Sequence, residues 1–431
     1  GIDYVVIDPS QRLADRYMLN NVSKVPMDVD FDSKIWNMPN WKKYELNARP
    51  DLWWNNYDGV KVGLHFNGDY MNYHHKIDAN IWLNTGILQD YQYYDSYKNE
   101  YNPFSYRFNY NTGLDKFSKH TDMTLHSRML DGLNLNKIQL KKYDYSKKNL
   151  FYAGFKSMYR ANISDLRYTN YKVWENDKFN NTASFGWTHS YSYKGGKGNI
   201  NLELTSSSVG SDYDYSKIVL TSIHKSKLGK LQLNTRIFGQ YGSGSNWAGE
   251  SKLNLAGANS EELMENKFTR SQGFIPNEWL GYDNTTNHFH MGGGLNLRGY
   301  TGYFSPEINA NGDNVSSYQG ESGVSISAEL EIQKILPIIK NQSKLKTYLF
   351  ADAGIINTTE ITSENYKDAF SNLRSDAGIG IALTLNKWGA LQMVKPLTLR
   401  VDFPFFLNRY PYVDEGNIQT NRFVVGIGRT F

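Results

Sequence analysis

From residue 323 onward the chain alternates with a period of two, and the alternation sorts charge as well as hydropathy. Val324, Ile326, Ala328, Leu330 and Ile332 share one face of an extended segment, and Ser325, Ser327, Glu329, Glu331 and Gln333 share the other. Ala377, Ile379, Ile381, Leu383 and Leu385 alternate with Gly378, Gly380, Ala382 and Thr384; Leu397, Leu399, Val401 and Phe403 alternate with Thr398, Arg400 and Asp402. Such alternation marks strands with one apolar and one polar face. Charges kept to one face of strand after strand suit a cylinder with a polar lumen and a lipid-facing exterior. A soluble sandwich uses the same alternation with the apolar face turned inward, so periodicity alone leaves both open.

Composition narrows the choice. Mean hydropathy is −0.59, and no stretch approaches the ~18 apolar residues of a membrane helix. Yet 15% of the residues are aromatic and 36 are glycine, a combination that fits an outer-membrane barrel and also a large secreted sandwich or propeller. There is no cysteine, which rules out disulfides and thiolate metal sites and suits an exported bacterial protein. The net charge of +4 is spread out, with no basic tail, so nucleic acid is not expected as a partner. The first residue is not methionine and no signal segment leads the chain; the expectation is a mature or shortened chain.

Taken in order, residues 1–57 form a periplasmic strand and linker segment, and 58–431 form the barrel. Asp3-Tyr-Val-Val-Ile-Asp8 is a short strand, and Trp36, Trp41, Trp53 and Trp54 crowd the stretch from 22 to 57. Tryptophan favours the membrane–water boundary, so this stretch reads as a linker along the barrel rim or as the edge of a packed soluble domain. Alternation then predicts eleven strands, at about 59–68, 77–84, 106–110, 120–127, 134–144, 148–158, 165–174, 181–193, 198–207, 214–225 and 228–240. A long loop follows at about 242–321, and five more strands at about 322–334, 344–355, 374–386, 395–406 and 420–431. The fold class is therefore all-β, an antiparallel transmembrane barrel of about sixteen strands. Long connections at 242–321, 356–373 and 407–419 fall on one side, and short ones at 194–197, 226–227 and 335–343 on the other. Long outside and short inside is the habit of such barrels; the tyrosine-rich 87–103 is a misfit on the inner side. Phe423, Val425, Ile427 and Phe431 share the outward face of the final segment, as expected where a barrel closes by pairing its first and last strands.

One arginine stands out in the long loop. Gly292-Gly-Gly-Leu-Asn-Leu-Arg-Gly-Tyr300 carries Arg298, and the next two strands carry Glu329, Glu331 and Asp352. A guanidinium enclosed by protein needs such acids, because an unpaired buried charge is costly. The set reads as a clamp that holds the loop in the lumen by charge-assisted hydrogen bonds, with any gating built upon it.

These residues resemble the BamA-type superfamily of outer-membrane assembly and secretion barrels, the bacterial surface antigen type. Leu297-Arg-Gly-Tyr300 resembles its aliphatic-Arg-Gly-aromatic loop motif, Phe350-Ala-Asp-Ala-Gly354 its F-x-D-x-G strand motif, and Ser327-Ala-Glu-Leu-Glu331 the strand that supplies a second acid. The resemblance implies a plugging loop in which Arg298, Gly299 and Tyr300 meet Asp352, Gly354 and Glu331, with Glu329 as reserve partner. It also implies a weak seam between a first strand bearing Val60, Val62, Leu64 and Phe66 and a last strand bearing Phe423, Val425, Gly426, Ile427, Gly428 and Phe431. The terminal Phe431 fits the family's insertion signal, although Arg429 stands where many members have an aromatic, and the family's repeated periplasmic domains are absent from these residues. The partners implied are outer-membrane lipids, client polypeptides and periplasmic or lipoprotein accessory subunits, and the location is the bacterial outer membrane. Val5-Val-Ile-Asp-Pro9 and Asn20-Asn21 resemble the closing strand of β-domains attached to zinc aminopeptidases, so a peptidase-like region would lie upstream; no His-Glu-x-x-His occurs in the chain itself.

Other groups carry less. His288 and His290 would share a face, but no third ligand is near them; His74-His75 reads as a solvated pair and Lys194-Gly-Gly-Lys-Gly198 as a hairpin turn. No metal, cofactor or catalytic set is expected, and the chain reads as a non-enzyme. Gly426 and Gly428 either weaken the last strand or make room for lumen side chains. The function expected is insertion or translocation of polypeptides through the seam between first and last strands. The alternatives are a passive transport channel, or a membrane anchor for an upstream peptidase-like domain.

Overall fold

The alternating segments become strands, and sixteen of them join edge to edge through antiparallel ladders. The computed structural model describes residues 5–10, 12, 15, 17–32, 39–72, 74–89, 101–161, 173–271, 273–276, 279, 288–301, 306–308, 314–316, 319–335, 343–361, 366–386, 396–409, 418–419 and 422–428. The strands are β1 Tyr44–Asn55, β2 Gly59–Tyr70, β3 His74–Asn84, β4 Phe104–Gly113, β5 Thr121–Leu130, β6 Leu133–Tyr143, β7 Asn149–Tyr159 and β8 Phe179–Tyr193. They continue with β9 Gly196–Ser207, β10 Asp214–Leu228, β11 Leu231–Asn246, β12 Gly323–Ile335, β13 Ser343–Ile361, β14 Arg374–Leu385, β15 Leu397–Leu407 and β16 Val424–Ile427. Each pairs with its neighbour in sequence, so the sheet is a pure meander.

Burial settles which face is which. Leu83 is 65% exposed and Phe185 52%, as are many other apolar residues of the alternating set, whereas Lys61 is 0% exposed and Arg400 2%. A soluble sandwich would bury the first pair and expose the second. Apolar outside and charged inside is the arrangement of a barrel in lipid.

The start of the sheet differs from the expectation. β1 lies within 1–57, the segment read as strand and linker, and pairs with β2 from Glu45↔Asp69 to Asn55↔Gly59. Val60, Val62, Leu64 and Phe66 therefore sit in the second strand, flanked by β1 and β3, and not at the edge. Pro50 and the adjacent Trp53-Trp54 hid this strand from a period-two reading. Proline cannot donate to a ladder and is tolerated where one side of the strand is free of a long partner. The strand expected at 165–174 falls, save for 173 and 174, outside the described residues; β7 and β8 pair directly with each other.

This shift also moves the misfit: the connections 85–103, 160–178, 247–322, 362–373 and 408–423 now all follow odd-numbered strands, while turns such as 71–73, 194–195 and 229–230 follow even-numbered ones, with 386–396 the longer exception. An arginine on the lipid side near mid-strand should be costly, so Ile237→Arg, at a position 50% exposed, should destabilise the barrel by about 2–4 kcal/mol. Urea unfolding from lipid vesicles measures this.

Candidate functional site

Described residues of the connection 247–322 touch strands from one end of the sheet to the other. Arg128 of β5 donates to Glu265 at 2.9 Å, Asn180 of β8 to Glu250 at 2.7 Å, and Arg236 of β11 to the Gly294 carbonyl at 2.8 Å. Lys156 of β7 pairs with Glu261, and Trp53 of β1 donates to Ser271 Oγ at 2.7 Å. At the far end of the strand order, Arg400 of β15 donates to the His290 carbonyl at 3.3 Å. One loop that reaches both end strands and those between them is encircled by the sheet.

The loop is shaped locally by two left-handed residues. Gly294 (φ 48) and Asn296 (φ 66) bracket Leu295, a conformation glycine and asparagine adopt at least cost. The bend drops Leu295 and Leu297 into an apolar cluster with Leu253, Leu255, Phe238 and Ile356. The next residues, Arg298–Tyr300, form a single 3-10 turn. Arg298 is thereby fixed with no solvent exposure. Its Nε donates to Asp352 Oδ2 at 2.8 Å, Nη2 to Asp352 Oδ1 at 3.3 Å and Nη1 to Glu329 Oε1 at 2.9 Å, a forked geometry with charge assistance. The Phe350 ring lies 4.4 Å from the guanidinium carbon, a cation–π contact. Burial disfavours the charged guanidinium, but Asp352 and then Glu329 more than offset this and raise its pKa above the ordinary value.

Glu331 is not the second partner. It accepts from Lys346 at 2.6 Å and from Asn234 at 3.3 Å. The ladder explains the choice: Ser327 stands opposite Asp352 and Glu329 opposite Phe350, which leaves Glu331 a further pleat away, opposite Tyr348. Gly299 and Gly354 serve close approach. A Cβ at 299 would lie 2.6 Å from Asp376 Cβ, and one at 354 would lie 2.8 Å from the Val324 carbonyl and 3.1 Å from Leu297 Cδ1. Tyr300 is buried and donates to Asn408 Oδ1 at 2.8 Å.

At the other pole of the loop lies the seam. β16 has four residues and pairs with β15 from Leu399↔Ile427 to Asp402↔Val424, and further along the same edge of β15 Phe406 stands opposite Gln419 and Leu407 opposite Ile418. Its other edge carries Phe289–His290, in parallel, with Phe289 opposite Val425 and His290 opposite Gly426; the Val425 N–H donates to the His288 carbonyl at 2.6 Å. The free edge of β1 carries the strand Met27–Phe31, also parallel. Among the described residues, β1 and β16 do not pair with each other.

An Omp85 superfamily domain matches residues 36–431, nearly the whole chain and all sixteen strands. The chain belongs to the Omp85 superfamily. It is an outer-membrane β-barrel. Its fold is similar to BamA from Haemophilus ducreyi lacking POTRA domains 1–3, at 14% identity and a TM-score of 0.43 over 94% of this chain and 75% of that one. CdiB from Escherichia coli is similar at 10% identity and 0.41 over 93% and 66%, and CdiB from Acinetobacter baumannii at 9% and 0.36 over 89% and 55%. No curated protein matches the chain in sequence.

Within this Omp85 barrel the residues expected at the seam divide. Phe423 stacks on His288 with centroids 4.3 Å apart and planes at 6°. Gly426 makes room: a Cβ there would lie 2.4 Å from Arg400 Nη2 and 2.8 Å from the His290 carbonyl. Gly428 has φ 89 and turns the chain just beyond Ile427. Phe431 and Arg429 lie outside the described residues. The two histidines are engaged by the chain itself, His288 Nδ1 donating to the Phe423 carbonyl at 2.9 Å and His290 Nε2 to the Ala256 carbonyl at 2.8 Å.

Two lumen acids were not read as part of the site from sequence. Asp376 stands directly across from Asp352 in the ladder. Asp402 accepts from Tyr348 at 2.6 Å and pairs with Arg400, and lies 3.9 Å from Arg298. Their shared parity with Asp352 on adjacent lumen faces was the available signal.

Removing Arg298 strands Asp352 and Glu329, so Arg298→Ala should cost about 3–5 kcal/mol, and Glu329→Gln should loosen the loop more than Glu331→Gln does. Urea unfolding and protease resistance of 247–322 check both. In the loop, burial lifts Glu250 from 4.5 up to about 7. The docked acid stays protonated over that interval while the undocked one ionises, so docking weakens as pH rises through it. Protease resistance of the loop should fall between about pH 5 and pH 7.5 in the wild type and fall less in Glu250→Gln.

Proposed function

We propose that this Omp85 barrel inserts or translocates polypeptides at the outer membrane through the junction of β1 and β16. Superfamily membership supports a role in outer-membrane protein insertion or secretion. The seam reading rests on one observation: among the described residues, the two end strands bear only short parallel partners on their outer edges, two residues on β16 and five on β1. Elsewhere, pairing such as β8 with β9 runs from Thr182↔Ser207 to Tyr193↔Gly196. When the short partners leave, N–H and C=O groups at both edges are free to receive a strand by augmentation. The role is non-enzymatic: client ladder bonds and burial of its apolar face in lipid drive the step. Client polypeptides are the partners, with periplasmic or lipoprotein subunits as accessories. A passive channel fits less well, because 247–322 occupies the lumen and is clamped at Arg298.

The chain lacks cysteine, so a disulfide between F289C and V425C, facing positions in the ladder, can lock the seam. In proteoliposomes the oxidised variant should insert an unfolded outer-membrane barrel at least about tenfold more slowly than its reduced form. Equal rates would remove the seam from the mechanism, and a reduced protein no faster than bare lipid would remove the function.

A further inference from the structure

The strand Met27–Phe31 is more than a linker passing by. It runs parallel to β1 from Met27↔Tyr44 to Phe31↔Ala48. The pairing is extended at each end, where Tyr44 N–H donates to the Pro26 carbonyl and Asp32 N–H to the Ala48 carbonyl, both at 2.9 Å. Its side chains alternate as those of a barrel strand do. Met27, Val29 and Phe31 are 53%, 64% and 60% exposed, and they register with Tyr44, Leu46 and Ala48. Ala48 in turn stands opposite Phe66 and Leu52 opposite Val62, on the outward face. Asp28 and Asp30 register with Glu45 and Asn47, on the inward face. Five residues outside the sixteen-strand meander thus copy both the ladder and the amphipathic pattern of a lipid-facing stave.

The fastening is light. Arg49 meets Asp32 at 3.1 Å, His65 lies 3.8 Å from the same carboxylate, and Lys43 meets Asp28 at 3.9 Å, with Arg49, Lys43 and Asp28 about half exposed, and exposed pairs of this kind contribute little. The parallel ladder of five residues faces an antiparallel one that spans all of β1 on its other side, and parallel pairing is the weaker per residue. On this edge, then, the partner that leaves first is Met27–Phe31.

We propose that Met27–Phe31 is an intramolecular occupant of the acceptor edge of β1, holding the place of an incoming amphipathic strand and excluding it until displaced. The proposal rests on the strand-addition reading above, and it makes the barrel autoinhibited at its β1 side. The full chain in proteoliposomes tests it with V29C/L46C, residues that face each other in the ladder. The disulfide should form readily, and the oxidised protein should insert an unfolded outer-membrane barrel about tenfold more slowly than the reduced one; V29P, which breaks the strand, should insert faster than wild type. A disulfide that does not form, or oxidised and reduced rates that agree, overturns the proposal. If the reduced protein inserts nothing, the functional reading has failed, and the occupant is judged by capture instead. A synthetic amphipathic strand carrying one cysteine should be trapped by V29P/L46C more than by L46C alone; equal trapping overturns the occupant.

Discussion

A sheet in lipid has no water to satisfy its last row of N–H and C=O groups, and each group left bare costs several kcal/mol. Most outer-membrane barrels meet this constraint by zipping the first strand to the last. Here the described ladders run without interruption from β1 to β16 and do not continue across the gap. Both outer edges are instead covered by chain from elsewhere, β16 by the lumen loop and β1 by the segment before the sheet. Under the proposed function these covers are the pieces that leave, and a removable piece is what an opening seam requires.

The loop that covers β16 is the same loop that Arg298 anchors, and the two ends are linked by charge. Glu329 and Asp352 hold Arg298 from β12 and β13. Asp402, 3.9 Å from Arg298, pairs with Arg400, and Arg400 donates to His290, which stands opposite Gly426 in β16. The chain of contacts thus runs from the strands after the loop to the final strand. Buried charges of this kind add little net stability over an apolar core, but breaking one link leaves an uncompensated charge. Position, more than stability, is what the network fixes: it sets where Phe289–His290 lies against the edge. Gly426 belongs to the same arrangement, since any larger residue there would collide with Arg400 and with the His290 carbonyl.

The periodic strands were legible because each has a lipid face that tolerates only apolar residues, and β12, β14 and β15 were placed within two residues of their observed ends. β1 was not, because Pro50 and Trp53-Trp54 break the pattern in a strand whose inner face meets the loop through Trp53 and whose edge needs no full partner. Arg298, Asp352 and Gly354 could be picked out from motif and spacing. The choice between Glu329 and Glu331 could not, since both have the same parity and only the register of β12 against β13 separates them. The two edge strands were invisible for a simpler reason: two and five residues carry too little periodicity to distinguish a strand from a loop.

If the seam opens as proposed, its preference over any other ladder follows from length and from proline. Separating β10 from β11 means breaking a pairing that runs from Asp214↔Asn246 to Leu228↔Leu231, and in lipid the exposed groups would be paid for in full. At the seam the pairing on β16 is two residues long. Prolines stand in the strands that border it: Pro50 in β1, and Pro404 in β15 between the stretch that pairs with β16 and the two residues that pair with Ile418–Gln419. Neither can donate a backbone hydrogen bond, so each removes a donor from the region where strands must part. The register shift in β14–β15 between Ala377 and Gly378, opposite Pro404, loosens the same corner. On the proposed reading, weakness is concentrated at one junction of the cylinder, while the clamp at Arg298 keeps the piece that covers it within reach.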